Sequence, residues 1–318
     1  MTYSWIAGRK WGYNLSLGAD LYPTTLDAHI YAETDILFFA GIDESLVNTT
    51  FEVRFDGNGT IGCYQNGTFN ISVTTGQTGT FQLGNLTKLQ VFIYFTDPTD
   101  LVRNIRIVPT GVTATFTTNF LSYVGVLEIF RFCFWQAESP RRLSLPITPL
   151  EWAARITPTS ATQVSAAGIA HEHILEFEQV TGKVGWYCIP EAANDDYITN
   201  MALLYNSTRN TSKLMYLEYA NTYSIMNDVP DNVTTPRFEL WMTNYGMGNR
   251  DNVMFVVSYT DIQYFINAMG MQKERFINWT YIDAIGFEAY FGDLSASRHF
   301  NLSDTDLKKV IIDAELSR

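Results

Sequence analysis

Five near-continuous apolar runs follow one another after residue 120: "VLEIFRFCFW", "VGWYCIP", "KLMYLEYAN", "DNVMFVVSY" and "IDAIGFEAYFG". A strand with one face in water alternates apolar and polar residues. A strand that is apolar throughout has to be covered on both faces, as in a parallel sheet flanked by helices. Helical segments separate the runs. "SAAGIAHEHILEFEQVTGK" puts Ile169, Ile174, Phe177 and Val180 on one stripe and stops at Gly182. "DDYITNMALLYN" and "DIQYFINAM", the latter ending at Gly270, read as helices too. Strands alternating with helices imply βαβ units and an α/β fold with a parallel sheet. The number of repeats favours a (β/α) barrel over an open doubly wound sheet. No glycine-rich phosphate loop follows the first strand, which argues the same way.

Residues 1 to about 110 have another pattern. "FEVRFDGNGTIGCYQNGTFNISVTTGQTGTFQLGNLTKLQVFIYF" alternates apolar and polar residues and is broken by Gly-Asn, Asn-Gly and Gly-Gln turns. Such turns at short spacing predict hairpins, and so a small antiparallel sandwich or half-barrel.

The chain has 318 residues, 46% of them hydrophobic and 14% aromatic, enough to bury a large core. Its net charge of −12 and pI of about 4.7 argue against nucleic acid or an anionic membrane surface as a partner. No apolar run approaches the ~18 residues of a membrane span. The opening "MTYSWIAGRKWGYN" lacks the apolar core of a signal peptide.

Eleven N-x-[ST] sequons occur, at Asn14, Asn48, Asn58, Asn66, Asn70, Asn85, Asn206, Asn210, Asn232, Asn278 and Asn301. Random placement would give about three. The excess predicts a secreted or cell-surface glycoprotein of eukaryotic type. The competing explanation is that Asn/Thr-rich turns generate sequons by accident. With no signal peptide, a secreted chain of this sequence is a mature product or a fragment. Cys63, Cys133 and Cys188 are too few for a disulfide framework. They read as buried small hydrophobes, with a Cys133–Cys188 bridge compatible with neighbouring strands. No Cys or His pair has ligand spacing, so neither a metal nor another cofactor is expected.

In a (β/α) barrel, functional residues lie at the C-terminal ends of the strands. Three carboxylates are candidates there: Glu191, Glu218 and Glu288. Glycoside hydrolysis needs two, roughly 5 to 9 Å apart. Glu191 follows "WYCIP" and either faces the barrel mouth or serves as a helix-start acid. Glu218 lies within its strand, in a polar layer inside the barrel or within reach of a substrate. Glu288 is ambiguous in the same way. Trp135, Trp186, Tyr219, Tyr290 and Phe291, with Asn221 beside them, suit a sugar-stacking surface, although buried barrel aromatics are equally ordinary. His171 and His173 lie on a helix away from the mouth, at solvated or core-edge positions.

Several segments resemble secreted (β/α)8 proteins related to cellulases, in the clan of glycoside hydrolases that carries Asn-Glu after the fourth strand. "WGYNLSLGADLYPTTLDAHI" is similar to that family's opening G-x-N-L strand and loop. "DPTDLVRNIRIVPTG" resembles its D-P-x-x-P-[IV]-R-N-I-R-V-x-x-P-G segment, and "IFRFCFWQ" its V-L-R-F-M-D-W. "GWYCIPEAANDDYI" resembles P-W-F-x-[IM]-P-H-x-A-[DN]-D-[DE]-Y-[IV]. "YLEYANTYSIMN" resembles Y-x-E-Y-S-N-E-x-W-N, and "IDAIGFEAYFG" resembles [IV]-D-A-[IL]-A-[IV]-A-P-Y-F-G. The resemblance implies a (β/α)8 TIM-barrel-like fold with strands one to six in this chain. Residues 1–24 would be the first barrel strand and its loop, 25–108 an inserted β-sandwich-like domain, and 109–318 the rest of the barrel.

The departures are as informative. The family's acid/base Glu falls on Thr222, the Asp of its M-D-W segment on Phe134, and the His of its I-P-H segment on Glu191. Its nucleophile follows strand seven, beyond Arg318. A six-strand barrel also leaves two unpaired edges, to be completed by further residues, by self-assembly or by a partner chain. The expectation is a glycosylated pseudo-hydrolase that serves as an assembly subunit or as a glycan-binding scaffold. The alternative is an active β-glucan hydrolase using Glu191 or Glu218 with Glu288.

Overall fold

The computed structural model describes residues 18–22, 30–35, 48–65, 68–82, 88–136, 148–161, 163, 167–219, 231–259 and 284–287. They form a mixed α/β protein in two compact units. One takes in those of Met1–Leu127 and Ala153–Thr181, the other those of Glu128–Trp152 and Gly182–Arg318.

The first unit holds two antiparallel sheets. Strands β1 (Ile30–Asp35), β3 (Gly59–Gln65), β4 (Thr68–Thr74) and β6 (Lys88–Thr96) form one sheet in the order β1-β6-β3-β4. Strands β2 (Thr50–Asp56), β5 (Gly79–Gln82) and β7 (Arg103–Pro109) form the other, in the order β5-β2-β7. Strand alternation sends Phe51, Val53, Ile61, Cys63, Val73, Phe81, Val91, Ile93, Ile105 and Ile107 into one shared core. Tyr22 joins that core, and its hydroxyl accepts the Ile105 N–H at 2.8 Å. The three turn signals behave differently. The strands on either side of residues 66–67, β3 and β4, pair directly. The Gly57-Asn58 turn and the 75–78 turn instead carry the chain from one sheet to the other. Turn chemistry sets local reversal, while the apolar faces decide which sheet the next strand joins.

Helices α1 (Thr118–Val124) and α2 (His171–Thr181) also belong to this unit. The Thr117 hydroxyl caps α1 by accepting the Phe120 N–H. Phe177 of α2 packs edge-on to Phe116, with ring centroids 5.5 Å apart. The buried face of α2 carries His171, His173, Ile174, Leu175, Phe177 and Glu178. The expected stripe is therefore shifted: Ile169 precedes the helix and Val180 is exposed. Both histidines are buried, so the solvated alternative for them does not hold.

The second unit is built on five parallel strands: β8 (Ile129–Arg131), β9 (Val184–Ile189), β10 (Met215–Tyr219), β11 (Val253–Tyr259) and β12 (Ala284–Phe287). Each lies next to its chain neighbour, in the order β12-β11-β10-β9-β8. All five apolar runs thus supply a parallel strand. The run "EIFRFCFW" does so only up to Arg131, because residues Cys133–Gln136 coil into a 3-10 helix. Gln136 explains the switch. Its Oε1 accepts the Cys188 N–H at 2.6 Å, the donor that a longer β8 would have taken, and its Nε2 donates to Tyr205 Oη at 2.9 Å.

One face of this sheet is covered by helices α3 (Asp195–Thr208) and α4 (Asp231–Tyr245). Asn194 caps α3 by accepting the Tyr197 N–H at 2.8 Å, and Asp195 and Asp196 supply the acidic first turn. The contact is aromatic: Tyr187 meets Tyr205 at 4.8 Å, Tyr205 meets Trp241 at 5.3 Å, and Phe238 stacks on Phe255 at 4.2 Å. Buried Arg209 locks the end of α3, donating to Tyr245 Oη at 2.9 Å and to the Leu214 carbonyl at 3.0 Å as the chain enters β10.

Candidate functional site

Residues that are register partners in a parallel sheet stand side by side on one face. Arg131 pairs with Trp186, Trp186 with Tyr216, and Tyr216 with Met254. These four therefore form a row across β8 to β11, on the face opposite Tyr187, Leu217 and Phe255. All four are partly exposed. One row further along, Cys188, Glu218 and Val256 are buried.

Glu218 is the hinge between the two rows. Its side chain is 1% exposed. Arg131 grips it with Nη2 at 2.7 Å from Oε2 and 3.0 Å from Oε1, and with Nε at 3.2 Å from Oε2. The Trp186 indole N–H donates to Oε2 at 3.0 Å, and the Cys188 thiol donates to the same oxygen at 3.8 Å. The guanidinium also sits 4.7 Å over the Trp186 ring, a cation–π contact. Trp186 and Tyr216 lie 5.8 Å apart with their planes 35° from parallel. The carboxylate thus pins a cation and an indole, and these with Tyr216 leave two aromatic rings side by side at a partly open surface.

The other sequence candidates lie elsewhere. Glu191 sits in the turn after β9, three residues before the Asn194 cap, so Asp195 and Asp196 hold the helix-start positions instead. Its carbonyl accepts the Tyr219 hydroxyl at 3.3 Å. Tyr219 is itself buried, paired in register with Ile189. Trp135 belongs to the 3-10 helix and packs on Phe132 at 5.5 Å and Phe130 at 5.8 Å. Asn221, Thr222, Glu288, Tyr290 and Phe291 fall outside the described residues, as do Asn14, Asn66, Asn85, Asn278 and Asn301. Among the described candidates, then, Glu218 is the carboxylate that enters the cluster and Trp186 the aromatic.

Sequence reasoning missed Arg131, Tyr216 and Met254. The available signal was parity: Tyr216 is two residues before Glu218, and so on its face of the strand. Cys188 is not in a disulfide, so the Cys133–Cys188 bridge is not made. Cys63 is free and buried in the sandwich, where burial pushes its thiol pKa up to about 12. Among the described residues no group of three or more His, Cys, Asp or Glu is placed to hold a metal, and no helix is long and apolar enough to cross a membrane.

No protein-family model matches this chain, and neither does any curated protein. Loose likenesses to solved structures include carbohydrate-active proteins. The CBM22-1 and GH10 modules of Clostridium thermocellum endo-1,4-beta-D-xylanase 10B, complexed with xylohexaose, are 9% identical with a TM-score of 0.38, covering 83% of this chain and 68% of that one. Bacteroides uniformis beta-glucuronidase is 10% identical with a TM-score of 0.24, and the match spans 86% of this chain but 36% of the enzyme. A family two carbohydrate esterase from Clostridium thermocellum, in complex with cellohexaose, is 9% identical with a TM-score of 0.23, covering 81% and 80% of the two chains.

Proposed function

We propose that this chain is a secreted, glycosylated, hydrolase-like protein without hydrolase activity, acting as a glycan-binding scaffold or assembly subunit. We further propose that its parallel strands belong to a (β/α)8-type barrel into which the sandwich is inserted. The strictly sequential strand order supports the barrel, since a doubly wound sheet reverses order at a switch point.

The observation that carries the functional reading is the clamp on Glu218. A general acid must present its proton to a leaving group, and a nucleophile must present a free oxygen to an anomeric carbon. Glu218 instead spends its oxygens on Arg131, Trp186 and Cys188 while almost fully buried. The resemblance that places Thr222 at the acid/base position argues in the same direction. What the clamp supports is binding: Trp186 and Tyr216 are held side by side, as a sugar face requires.

The test has two arms. Incubation of the purified protein with β-1,4-glucan and xylan is expected to release no reducing ends, while calorimetry with the matching oligosaccharides shows binding. Hydrolysis that disappears in E218Q or E191Q would restore the enzyme reading. Absence of both hydrolysis and binding would leave a purely structural subunit.

A further inference from the structure

The sequons differ in how their asparagines are used. Asn210 is exposed in the turn that follows α3. Its Oδ1 accepts the Ser212 backbone N–H at 3.1 Å and the Ser212 hydroxyl at 2.7 Å. This is an Asx turn closed entirely within the sequon itself. It occupies the side-chain oxygen and leaves the amide nitrogen to solvent. The preceding residue, Arg209, is buried, and the packed face of α3 carries Tyr197, Ile198, Met201, Ala202 and Tyr205, so that a substituent on Asn210 displaces no core contact.

Asn58 is the contrast. It is exposed as well, but its Nδ2 donates to Asp97 Oδ2 at 3.4 Å across 39 residues. The hydroxyl of its sequon partner Thr60 is shared with Thr74 of the neighbouring strand at 3.2 Å. Asp97 is in turn held by Thr99, whose N–H and hydroxyl keep its carboxyl below the usual carboxylate range. A glycan on Asn58 would stand between two loops that the sandwich joins.

We propose that Asn210 is a site of N-linked glycan attachment and that Asn58 is left bare. The inference rests on the secretory reading above. In the transfer, Asn210 Nδ2 forms a bond to the anomeric carbon of an oligosaccharide carried on a polyprenyl diphosphate. The carbon–oxygen bond to the diphosphate breaks, the lipid diphosphate leaves, and one amide proton is released; nothing is oxidised or reduced. The Asx turn at Asn210 spans three residues and forms in a nascent chain as well as in the folded protein, so this acceptor stays presented throughout. Asn58 is an acceptor only until the sandwich closes, because the Asn58–Asp97 and Thr60–Thr74 contacts then hold both sequon side chains.

The experiment is peptide mapping of the full chain, secreted from eukaryotic cells behind a heterologous signal, after amidase release of glycans in heavy-oxygen water. Asn210 is expected to be converted to labelled aspartate in most molecules, with Asn58 unlabelled. S212A should lose the label at Asn210 alone, and S212T should keep it. An unlabelled Asn210 beside other labelled sequons, or equal labelling of Asn58, overturns the assignment and leaves the secretory reading intact. A chain with no label at any sequon removes both.

Discussion

Arg131 and Glu218, 87 residues apart in sequence, meet as a bidentate ion pair inside the second unit, with Nη2 at 2.7 and 3.0 Å from the two carboxylate oxygens. The guanidinium side chain is 18% exposed and the carboxylate 1%. Removing one partner of so buried a pair strands the other charge in a medium that solvates it poorly. R131M is therefore expected to destabilise the protein by about 3 to 5 kcal/mol. The double variant R131M/E218L should recover most of that loss, because an apolar pair of similar volume leaves no charge behind. Urea unfolding of the three proteins, followed by circular dichroism, checks the order. A double variant weaker than R131M would mean that the Trp186 and Cys188 contacts matter more than the pair.

The glycan-binding reading predicts a separable effect at Tyr216. This residue is partly exposed and touches the Trp186 ring, but it takes no part in the hydrogen bonds to Glu218. Loss of one stacking ring costs about 1.4 kcal/mol, so Y216A should weaken oligosaccharide binding about tenfold without lowering stability in step. W186A removes the same kind of surface and also a donor to Glu218, so it should lose both. Calorimetry paired with a thermal melt distinguishes the two variants.

The long parallel strands were legible in the sequence because apolar character over several residues reports burial on two faces. The clamp was not, because it depends on register. Glu218 stood open between a polar layer and a substrate-facing position. Only the alignment of β8, β9 and β10 brings Arg131 and Trp186 to it. The extent of β8 was misread for a related reason. Apolarity does not record which group takes a backbone donor, and Gln136 takes the one at Cys188. The candidate carboxylates could not be ranked from spacing alone, since Glu191 after its strand and Glu218 within its strand each kept two readings until the hydrogen bonds were known.

The buried imidazole of His171 makes the first unit acid-sensitive. Burial, with a smaller contribution from the Arg155 charge, pushes its pKa down to about 3, against about 6.5 in an unfolded chain. Between those values the unfolded chain binds a proton that the folded one refuses. Stability is therefore full above pH 6.5 and falls as the pH drops, by up to about 1.4 kcal/mol per pH unit. His173 shifts in the same direction through burial, partly offset by Glu176. The urea midpoint should fall between pH 7 and pH 5, and H171Q should flatten that slope. A midpoint unchanged between pH 7 and pH 5 would rule out this source of acid sensitivity.

Gly57 and Gly76 test the sandwich turns as a pair. Both hold positive φ, +84° and +77°, so either alanine variant carries the strain of a left-handed backbone, about 1 to 2 kcal/mol. They differ in the space around them. A Cβ on Gly76 meets nothing within 4 Å, whereas one on Gly57 would stand 2.1 Å from the Leu101 carbonyl oxygen. That atom is backbone, in the loop where Asn58 N–H bonds to the Asp100 carbonyl at 2.8 Å, so it cannot swing aside as a side-chain tip would. G57A must open this loop and lose contacts between the Gly57-Asn58 turn and its neighbour. It is expected to cost about 2 kcal/mol more than G76A. Thermal unfolding of both variants gives the difference directly. Equal losses would mean that φ strain alone governs these turns and that the 2.1 Å approach relaxes without penalty.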